Sequence, residues 1–203
     1  MDSKLLLVGA GNMAIDYACV LNHLEQSFDA VCRTQTSADR FFEKTRKTCM
    51  TGGLDGISDF SEYEMAIIAT PVLSIFDCAK TLIEKGINYL LIEKPGGIDE
   101  EQIVQLHQMA SEHNSNVFIA YNRRFYQSVQ EAKRIIQEDG GGCTAQFDFT
   151  EWSHVIEGID MPNELKKNWF LANSTHVVDL AFYLIGKPIE ISAYQNGSLS
   201  WHK

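Results

Sequence analysis

Lys4-Leu5-Leu6-Leu7-Val8-Gly9-Ala10-Gly11-Asn12-Met13-Ala14 is the stretch on which the reading of this chain turns. Residues 4–8 form an apolar run that fits a strand buried on both faces. A glycine-rich turn follows at once, and then Met13, Ile15, Ala18 and Leu21 recur at helical spacing. Strand, tight turn and helix thus succeed one another within about twenty residues.

Working outward, the same rhythm repeats. Apolar runs at 29–32, 65–69, 87–92 and 117–120 predict further strands. Helices are expected from a Ser37 cap to about Lys47, from Leu73 to Lys85 ahead of Gly86, and from an Asp99/Gln102 cap pair to about His113. Strands alternating with helices over short connections imply a parallel sheet with right-handed crossovers. The Gly9, Thr70-Pro71 and Glu93-Lys94-Pro95 segments all fall at predicted strand carboxyl ends, where such sheets bind ligands, so they are expected to converge.

Past Asn122 the pattern changes. A helix over about 125–138 runs into Gly140-Gly141-Gly142, and Thr144–Phe149 then alternates with period two, as a half-buried antiparallel strand does. A helix over about 175–185 and a strand over Ile189–Tyr194 are expected to follow. The fold class is therefore α/β: a Rossmann domain with a parallel sheet at 1–121, then an incomplete α+β domain with a mostly antiparallel sheet at 122–203. So few elements leave a sheet face open, which implies either a truncated chain or a partner that covers the face.

Composition narrows the function. Hydrophobic residues make up 45% and charged ones 22% of the 203, enough for a buried core. Net charge is -10 with Lys and Arg scattered, which argues against nucleic acid as a partner. No run approaches a membrane span, and the first apolar run is too short for a secretory leader. Cys19, Cys32, Cys49, Cys78 and Cys143 are odd in number and contain no C-x-x-C, so no metal site is expected and free thiols in a reducing cytoplasm are.

Gly9-x-Gly11-x-x-Ala14 between a strand and a helix has the form of a dinucleotide site. The first glycine permits the turn, the second lets backbone approach a pyrophosphate, and Ala14 allows close helix packing; Asn12 and Met13 open the helix whose N-terminus faces the anion. At the end of the second strand, where an acid would read a ribose 2′-hydroxyl, stand Cys32-Arg33-Thr34. A guanidinium and a hydroxyl suit a 2′-phosphate, which favours NADP with NAD as the alternative; a solvated surface Arg33 is the plain reading. In Glu93-Lys94-Pro95, a partly desolvated Lys94 over a nicotinamide can exchange protons, whereas spacing alone reads it as a surface lysine in a turn.

Gly9-Ala10-Gly11-Asn12-Met13-Ala14, Ala69-Thr70-Pro71, Glu93-Lys94-Pro95 and Tyr121-Asn122-Arg123-Arg124-Phe125 occur in the order characteristic of one family. The chain resembles the glucose–fructose oxidoreductase, inositol dehydrogenase and rhizopine-catabolism (Gfo/Idh/MocA) family over essentially its whole length. The resemblance implies an NAD(P)-dependent oxidoreductase that moves a hydride between nicotinamide and a sugar-like hydroxyl or carbonyl. It gives Lys94 the proton transfer, with His176 as a second catalytic group. Thr70, Pro71, Glu93 and Asn122 join the cofactor set, and Arg123, Trp169, Asn173 and His176 become candidate substrate residues. It also implies homo-oligomers formed through the C-terminal sheet. The family's second catalytic element, Asp-x-Gly-x-His followed by x-x-Asp, corresponds here to Ala172-Asn173-Ser174-Thr175-His176-Val177-Val178-Asp179. His176 and Asp179 match, Ala172 stands where the acid is expected, and Ser174 replaces the glycine. Phe170, Val72 and Ile75 also depart from frequent family residues. A helix-capping His176 remains open. So do two other readings of the whole: a dinucleotide-binding regulator without turnover, and an inactive fragment of an enzyme.

Overall fold

The computed structural model describes residues 4–142 and 144–202, which form two compact units, Met1–Ala120 and Tyr121–Lys203. In the first unit, strands β1 (Lys4–Val8), β2 (Phe28–Val31), β3 (Cys49–Met50), β4 (Tyr63–Ile68), β5 (Tyr89–Ile92) and β6 (Asn116–Ile119) build one parallel sheet. Helices α1 (Asn12–His23), α2 (Gln35–Thr45), α3 (Val72–Glu84) and α4 (Glu100–Glu112) connect them. The order β3-β2-β1-β4-β5-β6 reverses direction between β1 and β4, the switch point of a doubly wound sheet. Only the two-residue β3 has no counterpart among the expected strands, being too short for a periodicity to register.

The sequence of β1 explains the two layers. Successive strand side chains point to opposite faces, and both faces here are covered. Leu6 and Val8 pack with Ile68, Ile75, Leu82, Leu90 and Ile92 on the side of α3 and α4. Leu5 and Leu7 pack with Ala14, Ala18, Phe41 and Ile67 on the side of α1 and α2. Leu6 and Leu7 are both fully buried, which is why the run contains no polar alternation. Ala14 and Ala18 are also fully buried, and their small side chains bring α1 close to the sheet.

Two caps show how local chemistry sets helix starts. Asp99 accepts from the Gln102 amide at 2.9 Å while the Gln102 side chain accepts from the Ile98 amide at 3.0 Å, the pairing expected for α4. The expected Ser37 cap of α2 is corrected: Thr34, extended at φ -124° and ψ 149°, places its hydroxyl to accept from the Ser37 amide at 3.3 Å. Ser37 is thus the donor three residues into the helix.

The second unit contains α5 (Gln127–Glu138), α6 (Ser153–Glu157), α7 (Asn163–Lys167) and α8 (Thr175–Ile185), with one π-helical turn at Phe170–Ser174 just before α8. Its described residues contain no strand, only an isolated antiparallel bridge between Leu199 and His202. Thr144–Phe149 and Ile189–Tyr194, both expected as strands of an antiparallel sheet, carry no ladder. Period-two alternation creates an apolar face but supplies no partner, and a strand exists only where another backbone takes up its N–H and C=O groups. Among the described residues no helix is long and apolar enough to cross a membrane, and Cys19, Cys32, Cys49 and Cys78 are free thiols. Cys143 lies outside the described residues.

Candidate functional site

The turn after β1 is dictated by one close approach. Gly9 adopts φ +123°, and a Cβ there would stand 2.3 Å from the Ala69 carbonyl oxygen and 2.8 Å from its carbon. Only glycine fits both the dihedral and the space. Its amide donates to the Val31 carbonyl at 2.8 Å and the Ala69 amide to the Val8 carbonyl at 2.8 Å, so the carboxyl ends of β1, β2 and β4 are tied together. Gly11 differs. A Cβ on it would meet nothing within 4 Å, and it caps α1 without any side-chain hydrogen bond. The first amides of α1 therefore lack a side-chain acceptor and face an open cradle that a side chain at position 11 would fill.

That cradle is one end of a cavity of about 910 Å³ at the carboxyl edge of the sheet, over the β1/β4 switch point. Gly9, Gly11, Asn12 and Met13 line it from the β1–α1 turn, Arg33 and Thr34 from the end of β2, Thr70 and Pro71 from the end of β4, and Glu93 and Lys94 from the end of β5. The sheet brings together ten of the residues read from the sequence as a cofactor set. The eleventh, Asn122, belongs to the second unit, on a 3-10 turn spanning Asn122–Phe125.

Several neighbours had no signal in the sequence. The Tyr17 hydroxyl, on α1, donates to Glu93 Oε1 at 2.8 Å. Burial, together with that carboxylate, pushes the Tyr17 phenol far above its ordinary range, so it stays a donor. Tyr17 thus holds the Glu93-Lys94-Pro95 turn, whose Lys94–Pro95 peptide is cis and whose Lys94 is half-buried. Ser37 and Arg40 line the same cavity from α2, and the Arg40 guanidinium donates to Asn12 Oδ1. Gly52 and Gly53, after β3, complete the wall beside Arg33; the Gly53 amide donates to the Cys32 carbonyl at 2.9 Å.

Within the second unit, His176 occupies the first turn of α8, its ring edge-on to Tyr121 with centroids 5.8 Å apart. Asp179 follows one turn later on the same helix. Asp179 is nearly buried and takes a bidentate pair from Arg124, with Nε donating at 2.7 Å. Arg124 is thereby held in place by the acid of α8. Trp169 and Asn173, read as substrate residues, direct their polar groups to Glu151. Its Oε1 accepts from Trp169 Nε1 at 3.0 Å, Asn173 Nδ2 at 3.0 Å and Ser174 Oγ at 3.2 Å. Glu151 lies in an irregular segment 18 to 23 residues away, beyond the reach of any local sequence pattern. Arg123 stands on the Asn122–Phe125 turn.

Residues 3–121 match the family model described as the oxidoreductase family with an NAD-binding Rossmann fold (GFO_IDH_MocA). The chain belongs to this family. The turn at Gly9, the switch-point cavity and the Glu93-Lys94-Pro95 segment all lie within the matched residues, on the six-stranded sheet described above. No curated protein matches the chain. Among solved structures, it is similar to the WlbA dehydrogenase of Chromobacterium violaceum in complex with NADH and UDP-GlcNAcA, at 19% identity and a TM-score of 0.68 over 90% of this chain and 55% of that one. The scyllo-inositol dehydrogenase of Lactobacillus casei with bound NAD(H) and scyllo-inositol matches at 18% identity and a TM-score of 0.71, over 92% of this chain and 57% of that one. A putative NADPH-dependent oxidoreductase of Desulfitobacterium hafniense gives 14% and 0.71, over 92% and 56%. At these identities the likeness is one of fold. The chain spans somewhat more than half the length of each.

Proposed function

We propose that this chain is an NADP-linked dehydrogenase or reductase domain acting on the hydroxyl or carbonyl of a sugar or sugar derivative, with NAD as the lesser cofactor. The observation that carries the reading is the single cavity into which the Gly9–Met13 turn, Arg33-Thr34, Thr70-Pro71 and Glu93-Lys94 all open. Its dimensions suit a dinucleotide, and the uncapped start of α1 beside the open cradle at Gly11 suits a pyrophosphate. When bound, the nicotinamide supplies hydride acceptance or donation. Lys94, held on a turn anchored by Tyr17 through Glu93, takes the proton of the substrate hydroxyl at its Nζ in oxidation and returns it in reduction. Arg33 and Thr34 take the ribose 2′-phosphate.

His176 is assigned the second proton-handling role in the second unit, and Arg123, Trp169 and Asn173 the contacts to substrate hydroxyls. Glu151, held by three donors of the turn before α8, gives that segment a carboxylate that Ala172 does not provide. The second unit also exposes Phe147, Ile189, Ile191 and Tyr194, which supports homo-oligomerisation through it. Small-molecule turnover in the cytoplasm completes the reading.

Ala172, in the place of the family's acid, favours a second reading: a dinucleotide-binding regulator without turnover. Mixing the protein with NADPH or NADP⁺ and a panel of sugars, inositols and nucleotide sugars, and following nicotinamide absorbance, separates the two. Turnover that disappears in Lys94→Met while NADPH affinity is kept supports the enzyme. Tight NADPH binding with no turnover on any substrate supports the regulator, and no binding of either dinucleotide refutes both.

A further inference from the structure

His176 follows a turn that chains rarely adopt. Phe170–Ser174 is π-helical, and α8 continues from Thr175. A π turn closes its hydrogen bonds one residue later than an α turn and occurs mostly as a single turn, often at a functional site. The local sequence does not favour any regular helix here, because Asn and Ser tend to turn their side chains back onto nearby backbone. In this turn those side chains go elsewhere. One oxygen, Glu151 Oε1, accepts from Asn173 Nδ2 at 3.0 Å, from Ser174 Oγ at 3.2 Å and from Trp169 Nε1 at 3.0 Å. Trp169 stands just before the turn and Asn173 and Ser174 at its end, so a single carboxylate pins both sides. Ser174 is only 2% exposed, which leaves its hydroxyl little water to bond instead. Thr175, the next residue, shows the local alternative: its hydroxyl donates back to the Leu171 carbonyl at 3.1 Å. Beyond His176, Arg124 holds Asp179. The imidazole therefore lies between two anchored points of one helical segment, with the Tyr121 ring edge-on to it.

We propose that Glu151 is a positioning residue, which keeps the π-helical turn in register and thereby sets the direction of the His176 imidazole. The inference rests on the proton-handling role given to His176 above and deepens it. Successive residues of a helix advance by about 100° around its axis. A turn that relaxed from π to α register would therefore rotate His176 relative to Trp169 by about that angle. Ala172, inside the turn, has only a methyl side chain, so the acceptor that orders these donors has to come from another segment. Glu151 supplies it from the irregular stretch before α6 and touches His176 only through the residues it holds.

The test compares the full chain with Glu151→Ala and Glu151→Gln, with circular dichroism as the check on folding. Glu151 is exposed and belongs to no helix or strand, so both variants are expected to fold. Nitrogen–proton correlation spectra of the histidine rings read the position of His176 directly, its signal being identified by its loss in His176→Asn. The expected result is a displaced His176 signal in Glu151→Ala, an unmoved His202 signal, and a His176 signal returned close to the parent's in Glu151→Gln, which keeps an acceptor oxygen in place. With a sugar, inositol or nucleotide sugar that the parent turns over, kcat is expected to fall about tenfold or more in Glu151→Ala while KM changes less than about threefold. An unmoved His176 signal in Glu151→Ala would overturn the proposal. So would an equal displacement of His202, since the second unit as a whole would then have loosened, or a Gln variant as altered as the Ala one. If the parent turns over no member of the panel, the enzymatic reading fails and the ring spectra still decide whether Glu151 directs His176. If turnover is present and the Glu151→Ala spectra match the parent's, the enzymatic reading stands and this inference alone is lost.

Discussion

Gly9→Ala and Gly11→Ala add the same methyl two residues apart, and the structure assigns them opposite consequences. At position 9 the new Cβ would lie 2.3 Å from a backbone oxygen, in a residue held at φ +123°. That oxygen belongs to Ala69, whose amide is bonded to β1, so it cannot swing aside as a flexible side chain would. Forcing an L-residue into that backbone region costs about 1–3 kcal/mol, and overpacking a fixed neighbour about 1–3 kcal/mol more. The smaller entropy of the unfolded alanine chain offsets about 0.5 kcal/mol. A net loss of about 3 kcal/mol moves the urea midpoint by roughly 1–2 M, given a slope of about 2 kcal/mol per molar. Position 11 has an ordinary φ of -77° and nothing within 4 Å, so stability is expected to stay level or rise slightly. Its methyl instead fills the cradle at the start of α1, and NADPH affinity is expected to fall by about tenfold or more. Urea titration by far-UV circular dichroism and calorimetric titration with NADPH read the two effects separately. A Gly9→Ala protein as stable as the parent would refute the packing argument. A Gly11→Ala protein with full NADPH affinity would refute the assignment of the cradle.

Tyr17→Phe removes the hydroxyl that holds Glu93 and nothing else; at pH 7 a stability loss of about 1–2 kcal/mol is expected, together with a lowered turnover number at unchanged NADPH affinity if Lys94 depends on that turn. Arg124→Met leaves the nearly buried Asp179 carboxylate unpaired and is expected to destabilise the second unit by about 2 kcal/mol, and recovery in Arg124→Met/Asp179→Leu would show that the unpaired charge is the cause. Asp29 is opposed by burial, but Lys4 at 2.6 Å and the Tyr63 hydroxyl at 2.7 Å outweigh it and hold its carboxyl below the ordinary 3.8. Its stabilising contribution is therefore complete above pH 3.8 and disappears as pH falls through the lower folded-state value. The difference in melting temperature between the parent and Asp29→Asn is expected to be constant from pH 5 to 7 and to shrink below pH 3.8; a difference that persists at pH 2 contradicts the assignment.

Much of the first unit is local physics and was legible residue by residue. An unbroken apolar run at 4–8, a glycine turn and helical spacing after it need no knowledge of the rest of the chain. The Asp99/Gln102 cap acts over three residues, and strand ends moved by no more than about two residues between expectation and structure. The convergence of the candidate cofactor segments was legible for the same reason: each is a strand carboxyl end and its next few residues, and a parallel sheet gathers all such ends at one edge. The cap of α2, expected at Ser37, is Thr34 instead, because the extended backbone there turns its hydroxyl to the Ser37 amide.

Tertiary structure decided what no window of sequence can contain. Strand order is set by which hydrophobic faces find each other, so the placement of β4 beside β1, and with it the cavity, follows from packing across 60 residues. Tyr17 meets Glu93 across 76 residues, Arg40 meets Asn12 across 28, and Arg124 meets Asp179 across 55. Such pairs leave no periodicity, because their spacing reflects the path of the chain and not the repeat of a helix or strand. The alternating segments Thr144–Phe149 and Ile189–Tyr194 show the converse limit: an amphipathic pattern states which face prefers to be covered, but pairing needs a second backbone at hydrogen-bonding distance, and only the folded chain determines whether one is there.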